Sequence, residues 1–154
     1  MANKHFMFLD LETMSKWSDC VILSVGITIG EYKIEGNGIE DFPTMMADSL
    51  YLKFDVREQV EKLGRKYARD VMDWWNGQEA EAKAVLKPSK EDISLLELNN
   101  RIQKHLDERG LCWGNLDIWD RRGFDWPKIQ HVYEVNLGFA KAPYPYQNQC
   151  DIVQ

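Results

Sequence analysis

The first third of the chain contains two long, nearly continuous apolar runs. The segments FMFLDLETM at residues 6–14 and CVILSVGITIGEYKI at residues 20–34 are rich in β-branched and aromatic residues, and both are predicted to be strands. The turn signal GNG at residues 36–38 comes next, and the residues after it suit a third, shorter strand. We therefore predict a meander of three antiparallel strands at the start of the fold.

The middle of the chain changes to short helical patterns. DVREQVEKLGRKY predicts a helix that ends near Gly64, and ARDVMDWWNGQ predicts a second helix with Asp70 as N-cap and Gly77 just past its end. AEAKAVLKP predicts another short helix, which Pro88 stops. Three short helices are therefore expected after the strands.

The clearest helical pattern is SKEDISLLELNNRIQKHLDERG at residues 89–110. Ser89 with Asp92 forms a capping-box pattern, Gly110 suits the position after the last turn, and one apolar stripe contains Ile93, Leu96, Ile102 and Leu106. LCWGNLDIW then predicts a strand, DWPKIQHVYEVNLG a helix with Pro127 in its first turn, and CDIVQ a closing strand. This order predicts one α/β domain over residues 1–154, with a mixed sheet flanked by helices.

Composition limits the function classes. Hydrophobic residues make up 44% and charged residues 29% of the 154 residues, which is typical of a globular protein. No apolar run has the length of a membrane span, and three widely spaced cysteines favour reduced thiols in a cytoplasmic setting. A net charge of −6 argues against binding nucleic acid through a broad basic field. Local basic clusters are the remaining candidates for such contacts: Arg57, Lys62, Arg65, Lys66 and Arg69, and further on Arg121, Arg122 and Lys128.

Two carboxylates interrupt the first predicted strand. Asp10 and Glu12 are two residues apart, so their side chains are expected on the same face of the strand. Two like charges side by side are costly unless a cation lies between them, and a divalent metal is the simplest such cation. Ordinary surface exposure is the alternative interpretation.

The motifs together resemble a known family. FLDLET followed by VILSVG resembles the first two strands of the DEDD-type (DEDDh) 3′–5′ exonucleases, which have an RNase H-like fold. RKYARDVMDWWNGQEAEAKAVL resembles the tryptophan-pair helix region of phage exonuclease A and of bacterial RNase T-like exoribonucleases. CWGN, then GFDWPKI, and finally YPYQNQCDIVQ resemble the family's second motif and the segment after it. The similarity extends from about Met7 to about Val153.

The resemblance implies a metal-dependent active site. Enzymes of this family hold two divalent ions, Mg²⁺ or Mn²⁺, for which carboxylate oxygens are suitable ligands. It implies that Asp10, Glu12 and Asp125 are the catalytic metal ligands. The stretch LDIWDRRG is longer than the family's usual spacing, so Asp117 and Asp120 compete with Asp125, which also suits a helix N-cap.

Substrate contacts are implied at six further positions. Thr13 and Met14 match positions that contact the terminal nucleotide, and Trp74 or Trp75 could stack on a base. The alternative for the tryptophans is packing in the core, and at most one of them is expected to face outward. Arg121 and Arg122 could reach a phosphate or lie in a surface loop.

One family motif is not found before Gln154. The final helix of the family carries His-x-x-x-x-Asp, with the histidine as general base, and neither His5, His105 nor His131 matches it in a suitable element. A domain truncated at its C-terminus relative to the family is therefore expected. It would be a fragment, a natural short form without catalysis, or a protein completed by a partner or a second copy. An uncovered sheet surface would then favour a homo-oligomer.

The expected function is that of a two-metal-ion 3′–5′ exonuclease acting on RNA or single-stranded DNA ends; the missing His-x-x-x-x-Asp motif leaves open whether this chain is complete and active. The alternative is a catalytically impaired module that binds nucleic acid or a protein partner. The expected ligands are a nucleic acid with a free 3′ end and Mg²⁺ or Mn²⁺, and no membrane contact is expected.

Overall fold

The computed structural model describes residues 3–35, 38–39, 44–45, 49–145 and 148–151, and it shows one mixed sheet flanked by helices. The described strands are β1 (Asn3–Thr13), β2 (Ile22–Glu35), β3 (Gly38–Ile39), β4 (Thr44–Met45), β5 (Leu50–Lys53), β6 (Leu116–Asp120) and β7 (Gln149–Asp151). The strand order is β3-β2-β1-β6-β7, and β4 and β5 also pair with β2. The α/β fold class predicted from the sequence is confirmed.

The pairing of β1 with both neighbours makes it the central strand. β2 is antiparallel to β1 along its whole length, with Asp10 opposite Gly26. β6 is parallel to the first half of β1, from His5 opposite Leu116 to Phe8 opposite Trp119, and β7 is parallel to β6. Because β6 ends before β1 does, the second half of β1 has backbone groups available to the segment that follows β6.

The helices are short, and the main core lies on one face of the sheet. They are α1 (Val56–Glu61), α2 (Arg69–Asn76), α3 (Ala80–Lys83), α4 (Leu98–Asp107) and α5 (Trp126–His131), which continues as a π-helical turn over Val132–Asn136. Alternation along β1 directs Met7, Leu9 and Leu11 into the core, which also contains the apolar residues of α4 and α5. Asp10 and Glu12 are consequently on the opposite face.

A smaller apolar cluster fixes α2 near the end of β1. Met14, Val21, Leu23 and Trp75 are buried together there. The Nε1 group of Trp75 donates a hydrogen bond to the carbonyl oxygen of Thr13 at 3.1 Å. The second tryptophan of the pair thereby anchors α2 to the strand that carries the two carboxylates.

Two local predictions are corrected by the structure, and one strand was not predicted. The predicted third strand falls on residues 36–47, of which only β3 and β4 are described, and both are antiparallel to β2. The strand that was not predicted is β5, which is also antiparallel to β2. Asp70 is not an N-cap, because α2 begins at Arg69 with Ala68 in the capping position. The backbone N–H of Ser89 donates to the carboxylate of Asp92, but this hydrogen bond closes a turn and does not cap a helix. The helical segment begins at Leu95, and Ser94 is its N-cap.

The closing segment and the helix lengths complete the description. β7 confirms the start of the predicted last strand, and residues 152–154 of that prediction lie outside the described part. Among the described residues, no helix has the length and apolar character needed to cross a bilayer.

Candidate active site

The first part of the candidate site is the end of β1. Asp10 and Glu12 are both exposed on the same face, as the strand period predicts. Gly26 lies opposite Asp10 in the register, so no cross-strand side chain from that position covers the carboxylate. The two carboxylates are therefore open to a ligand from solvent.

The second part comes from the turn after β6. Arg122 and Gly123 both have left-handed backbone conformations, with φ of 61° and 64°, and they reverse the chain so that Asp125 reaches β1. The Oδ2 atom of Asp125 accepts a hydrogen bond from the backbone N–H of Leu11 at 3.3 Å. Leu11 lies between Asp10 and Glu12, so the structure brings the three predicted metal ligands to one end of the sheet.

Asp120 fixes the position of Asp125. Its side chain is only 2% exposed, and its Oδ2 atom accepts hydrogen bonds from the backbone N–H groups of Asp125 at 2.8 Å and Trp126 at 3.0 Å. It satisfies donors at the start of α5, as an N-cap side chain would. Asp117, the third competitor, accepts a hydrogen bond from the hydroxyl of Tyr32 instead. Of the three candidates, Asp125 is the one whose side chain has a described hydrogen bond to the second half of β1, where Asp10 and Glu12 lie.

We expect Asp120→Ala to lower the free energy of unfolding by about 2–4 kcal/mol, since it leaves two backbone donors at a buried helix start without their acceptor. Asp120→Asn keeps an acceptor oxygen and should lose less than half as much. Urea denaturation of both variants measures the difference. Equal losses would show that the hydrogen bonds to Asp125 and Trp126 are not what Asp120 contributes.

Burial, and after it neighbouring carboxylates, disfavour negative charge on two side chains of the site. Burial, with added repulsion from Asp120 and Asp10, raises the pKa of Asp125 to about 7, although the N–H of Leu11 and the ammonium of Lys128 act in the other direction. Burial and the nearby Asp10 also raise the pKa of Glu12. A cation beside these groups would relieve the repulsion and favour their ionised forms.

A divalent ion suits this donor set. Three carboxylates offer the hard oxygen ligands that Mg²⁺ and Mn²⁺ prefer, and repulsion between them is a property that a bound cation removes. Among the described residues, no three side chains of the types His, Cys, Asp and Glu are arranged closely enough to form a complete metal site by themselves. The structure thus shows the carboxylates at one end of the sheet without a closed ligand cage.

The six predicted substrate contacts divide into exposed and buried groups. Trp74 is 57% exposed on α2, and Thr13 is half-buried at the end of β1. Met14 is 7% and Trp75 4% exposed, because both pack in the smaller cluster; the tryptophan pair thus has one exposed member, in line with the expectation that at most one faces outward. Of the tryptophan pair, only Trp74 can offer a ring face to a base. Arg121 and Arg122 are exposed in the turn before Asp125.

Sequence reasoning missed two residues near the site. Trp17, in the loop directly after β1, is 70% exposed; a tryptophan in the polar stretch MSKWSD was an available signal. Lys128 was grouped with surface cations but is buried, and its Nζ atom donates to the carbonyl of Phe124 at 2.6 Å. Lys128 therefore supports the turn that carries Asp125. Arg65, from the other predicted cluster, is also buried.

His131 is already engaged at one ring nitrogen. Its Nδ1 atom is 2.9 Å from an NH1 donor of Arg65, so Nδ1 must accept and the neutral ring carries its proton on Nε2. Burial and the guanidinium of Arg65 lower the pKa of His131, which favours this neutral form. His5 pairs with Glu31 on the adjacent strand, away from the carboxylates. Neither histidine is placed as a base for the site.

The mixed sheet and its flanking helices define a protein with an RNase H-like fold. The model of the Rv2179c-like 3′–5′ exoribonuclease domain matches residues 5–153, and the chain belongs to this family. The predicted resemblance to DEDD-type 3′–5′ exonucleases is thereby confirmed.

Two known proteins show how far the similarity extends. An exodeoxyribonuclease of Enterobacteria phage T4 is 26% identical over 165 residues, which cover 94% of this chain and 67% of the relative. The crystal structure of cell-death related nuclease 4 (CRN-4) is similar with a TM-score of 0.52 and 17% identity. That match covers 87% of this chain and 40% of the other, so it shows a shared fold for a part of that protein.

Proposed function

We propose that this chain is a 3′–5′ exonuclease that removes nucleotides from RNA or single-stranded DNA ends with Mg²⁺ or Mn²⁺. The observation that carries the proposal is the hydrogen bond from the backbone N–H of Leu11 to Asp125, which places that carboxylate beside the strand that carries Asp10 and Glu12. Membership of the exoribonuclease family supports the reaction class. The phage relative is named an exodeoxyribonuclease, so both nucleic acids are candidate substrates.

In this proposal Asp10, Glu12 and Asp125 hold two ions. The ions would supply Lewis-acid stabilisation of the phosphodiester and an activated water. The protein's own contribution is to keep the three carboxylates at one end of the sheet. β1 fixes the first two by its alternation, and Asp120 fixes the third through the backbone of α5. A bound cation would offset the burial and the repulsion from Asp120 and Asp10 that raise the pKa of Asp125.

Substrate binding is proposed at the exposed groups around this end of β1. Trp74 and Trp17 would stack on bases of a single strand, and such stacking tolerates any base. Arg121 and Arg122, in the turn that precedes Asp125, would contact phosphates. These are local contacts, and they agree with a chain whose net charge is −6.

We expect Trp74→Ala to weaken binding of a single-stranded oligonucleotide by about 1–3 kcal/mol, or roughly fivefold to 150-fold in Kd, because one stacked base is lost. Fluorescence anisotropy with labelled oligonucleotide, in EDTA to prevent cleavage, measures the change. Phe139→Ala is the matched control, because Phe139 is a partly exposed aromatic that packs on Tyr133. Equal affinity in the Trp74 variant and the wild type would remove α2 from the substrate site.

Polarity of degradation tests the reaction class. Single-stranded RNA and DNA oligonucleotides with a free 3′-hydroxyl, and matched ones with a blocked 3′ end, are incubated with the protein and Mn²⁺. We expect shortening only of the free-ended strands. Degradation of both kinds at equal rates would contradict the proposal, and binding without shortening would favour a nucleic-acid-binding module.

A further inference from the structure

Arg65 forms an unusual buried contact between two parts of the site. Its side chain is 3% exposed and has four hydrogen bonds, none of them to a carboxylate. Nε donates to the carbonyl of Cys20 at 2.7 Å, and NH2 donates to the carbonyl of Ser18 at 3.1 Å. NH1 donates to Nδ1 of His131 at 2.9 Å and to Oδ1 of Asn136 at 2.7 Å.

These acceptors belong to two separate segments. Ser18 and Cys20 lie in the loop of residues 15–20, which we call the Trp17 loop and which connects β1 to β2. His131 ends α5, the helix that begins beside Asp125, and Asn136 ends its π-helical continuation. The guanidinium therefore joins the loop after the first two carboxylates to the helix after the third.

Stability alone gives a poor account of this arrangement. Burial lowers the pKa of Arg65, which shows that the surroundings disfavour its charge. A buried cation with neutral partners is often less stabilising than an apolar residue of similar size. What arginine offers instead is a rigid, planar set of donors that can reach both segments at once, and lysine cannot reproduce it.

We propose that Arg65 is a positioning residue, which holds the Trp17 loop against α5 so that Trp17 can stack on a base of a single-stranded substrate. The inference rests on the proposed nuclease function for the identity of the ligand. The contact between loop and helix stands on the geometry alone. Within the loop, Ser15 contributes by accepting a hydrogen bond from the backbone N–H of Trp17 at 3.3 Å.

The hydrogen bond between Arg65 and His131 makes the contact between the Trp17 loop and α5 dependent on pH. Its Nδ1 accepts from Arg65 only while the ring is neutral; protonation would place two donors and two positive charges against each other. Arg65, Asp19 and Glu134 are the charged groups that act on the ring. Because the pKa of His131 is lowered, acidification should loosen the loop only at a pH well under the ordinary histidine value of about 6.5. In His131→Asn the amide oxygen can accept at every pH, and this variant should not respond.

The test is a double-mutant cycle between Arg65→Lys and Trp17→Ala, with steady-state cleavage of a single-stranded oligonucleotide in Mn²⁺. Each single variant is expected to raise KM about tenfold with kcat within threefold, and the double variant should be no worse than Trp17→Ala. Additive effects, or a loss in kcat with KM unchanged, would overturn the positioning role. Asn136→Ala, which removes one acceptor and keeps Arg65, should give a smaller rise in KM and provides a second variant if Arg65→Lys does not fold.

Gln59 provides the control for a purely structural effect. Its buried amide hydrogen-bonds to the backbone of Ile22 in both directions at 2.8 Å, and it contacts neither Ser18 nor α5 in the described hydrogen bonds. Gln59→Met should lower the melting temperature and leave KM unchanged. An equal rise in KM for this variant would show that any destabilisation of the region has the same effect, and would overturn the proposal.

A readout without catalysis separates this inference from the proposed function. Trypsin can cleave after the exposed Lys16 in the Trp17 loop. Faster cleavage there in Arg65→Lys than in wild type at one pH where trypsin is active, but not in Gln59→Met, supports the contact even if no oligonucleotide is degraded. Equal cleavage rates in wild type and Arg65→Lys would overturn the contact, whatever the nuclease assay shows.

Discussion

Asp10→Asn is expected to reduce exonuclease activity by about a thousandfold or more. The metal ions of such a site supply several kcal/mol of transition-state stabilisation, and each 1.4 kcal/mol corresponds to a factor of ten in rate. The substitution keeps the shape of the side chain and removes one charged ligand. Asp10 is exposed and lies opposite Gly26, so the fold should be retained, which circular dichroism and a melting curve can verify.

The matched control for Asp10→Asn is Asp117→Asn. Asp117 was a competitor for the second acidic motif, but its carboxylate accepts from Tyr32 in the structure. We expect this variant to keep activity within a few-fold of the wild type. A large loss of activity in Asp117→Asn, together with full activity in Asp125→Asn, would show that Asp117 and not Asp125 is the third ligand.

The second large effect is on stability rather than rate. Saturating Mn²⁺ at a hundredfold excess over its Kd should stabilise the wild type by about 2.7 kcal/mol, or about 5–10 °C in Tm for a domain of this size. Asp125→Asn should lose most of this gain, because a neutral amide replaces a charged ligand. Thermal melts with and without Mn²⁺ measure this rise in Tm, and the measurement does not require nuclease activity.

Without metal and at high pH, Asp125→Asn should have a higher melting temperature than the wild type, the reverse of the order expected with Mn²⁺. The folded pKa of Asp125 is about 7, against an ordinary value of 3.8. The folded state therefore binds this proton more tightly, and the resulting contribution to stability is full below pH 3.8 and is lost as pH rises through about 7. In EDTA, Asp125→Asn should melt above the wild type at pH 8. A wild-type advantage at pH 8 in EDTA would contradict the origin given for the raised pKa.

The long strands could be predicted because their local signals agreed. The apolar and β-branched content of the first two segments matches their position in the centre of the sheet, where β1 pairs on both sides. Asp10 and Glu12 could be placed on one face by the strand period alone. Gly77 and Pro127 marked helix boundaries: Gly77 follows α2 with an ordinary helical backbone, and Pro127 lies in the first turn of α5, where its missing N–H costs no hydrogen bond.

The remaining features depend on contacts distant in sequence. The hydrogen bond between Leu11 and Asp125 joins positions 114 residues apart, and no local pattern distinguishes Asp125 from Asp117 or Asp120. The short strand β5 forms because it pairs with β2, not because LYLK carries a strong signal of its own. Arg65 and Lys128 looked like surface cations, since a sequence cannot show that backbone carbonyls satisfy them.

The central claim is that Asp10, Glu12 and Asp125 form the metal-dependent site of a 3′–5′ exonuclease. The most direct measurement follows a 5′-labelled single strand on a sequencing gel, with Mn²⁺ and with wild type, Asp125→Asn and Asp117→Asn in parallel. The account predicts a ladder of products shortened stepwise from the 3′ end for wild type and Asp117→Asn. It predicts none for Asp125→Asn or for wild type in EDTA. A full ladder from Asp125→Asn, or one that persists in EDTA, would contradict the account.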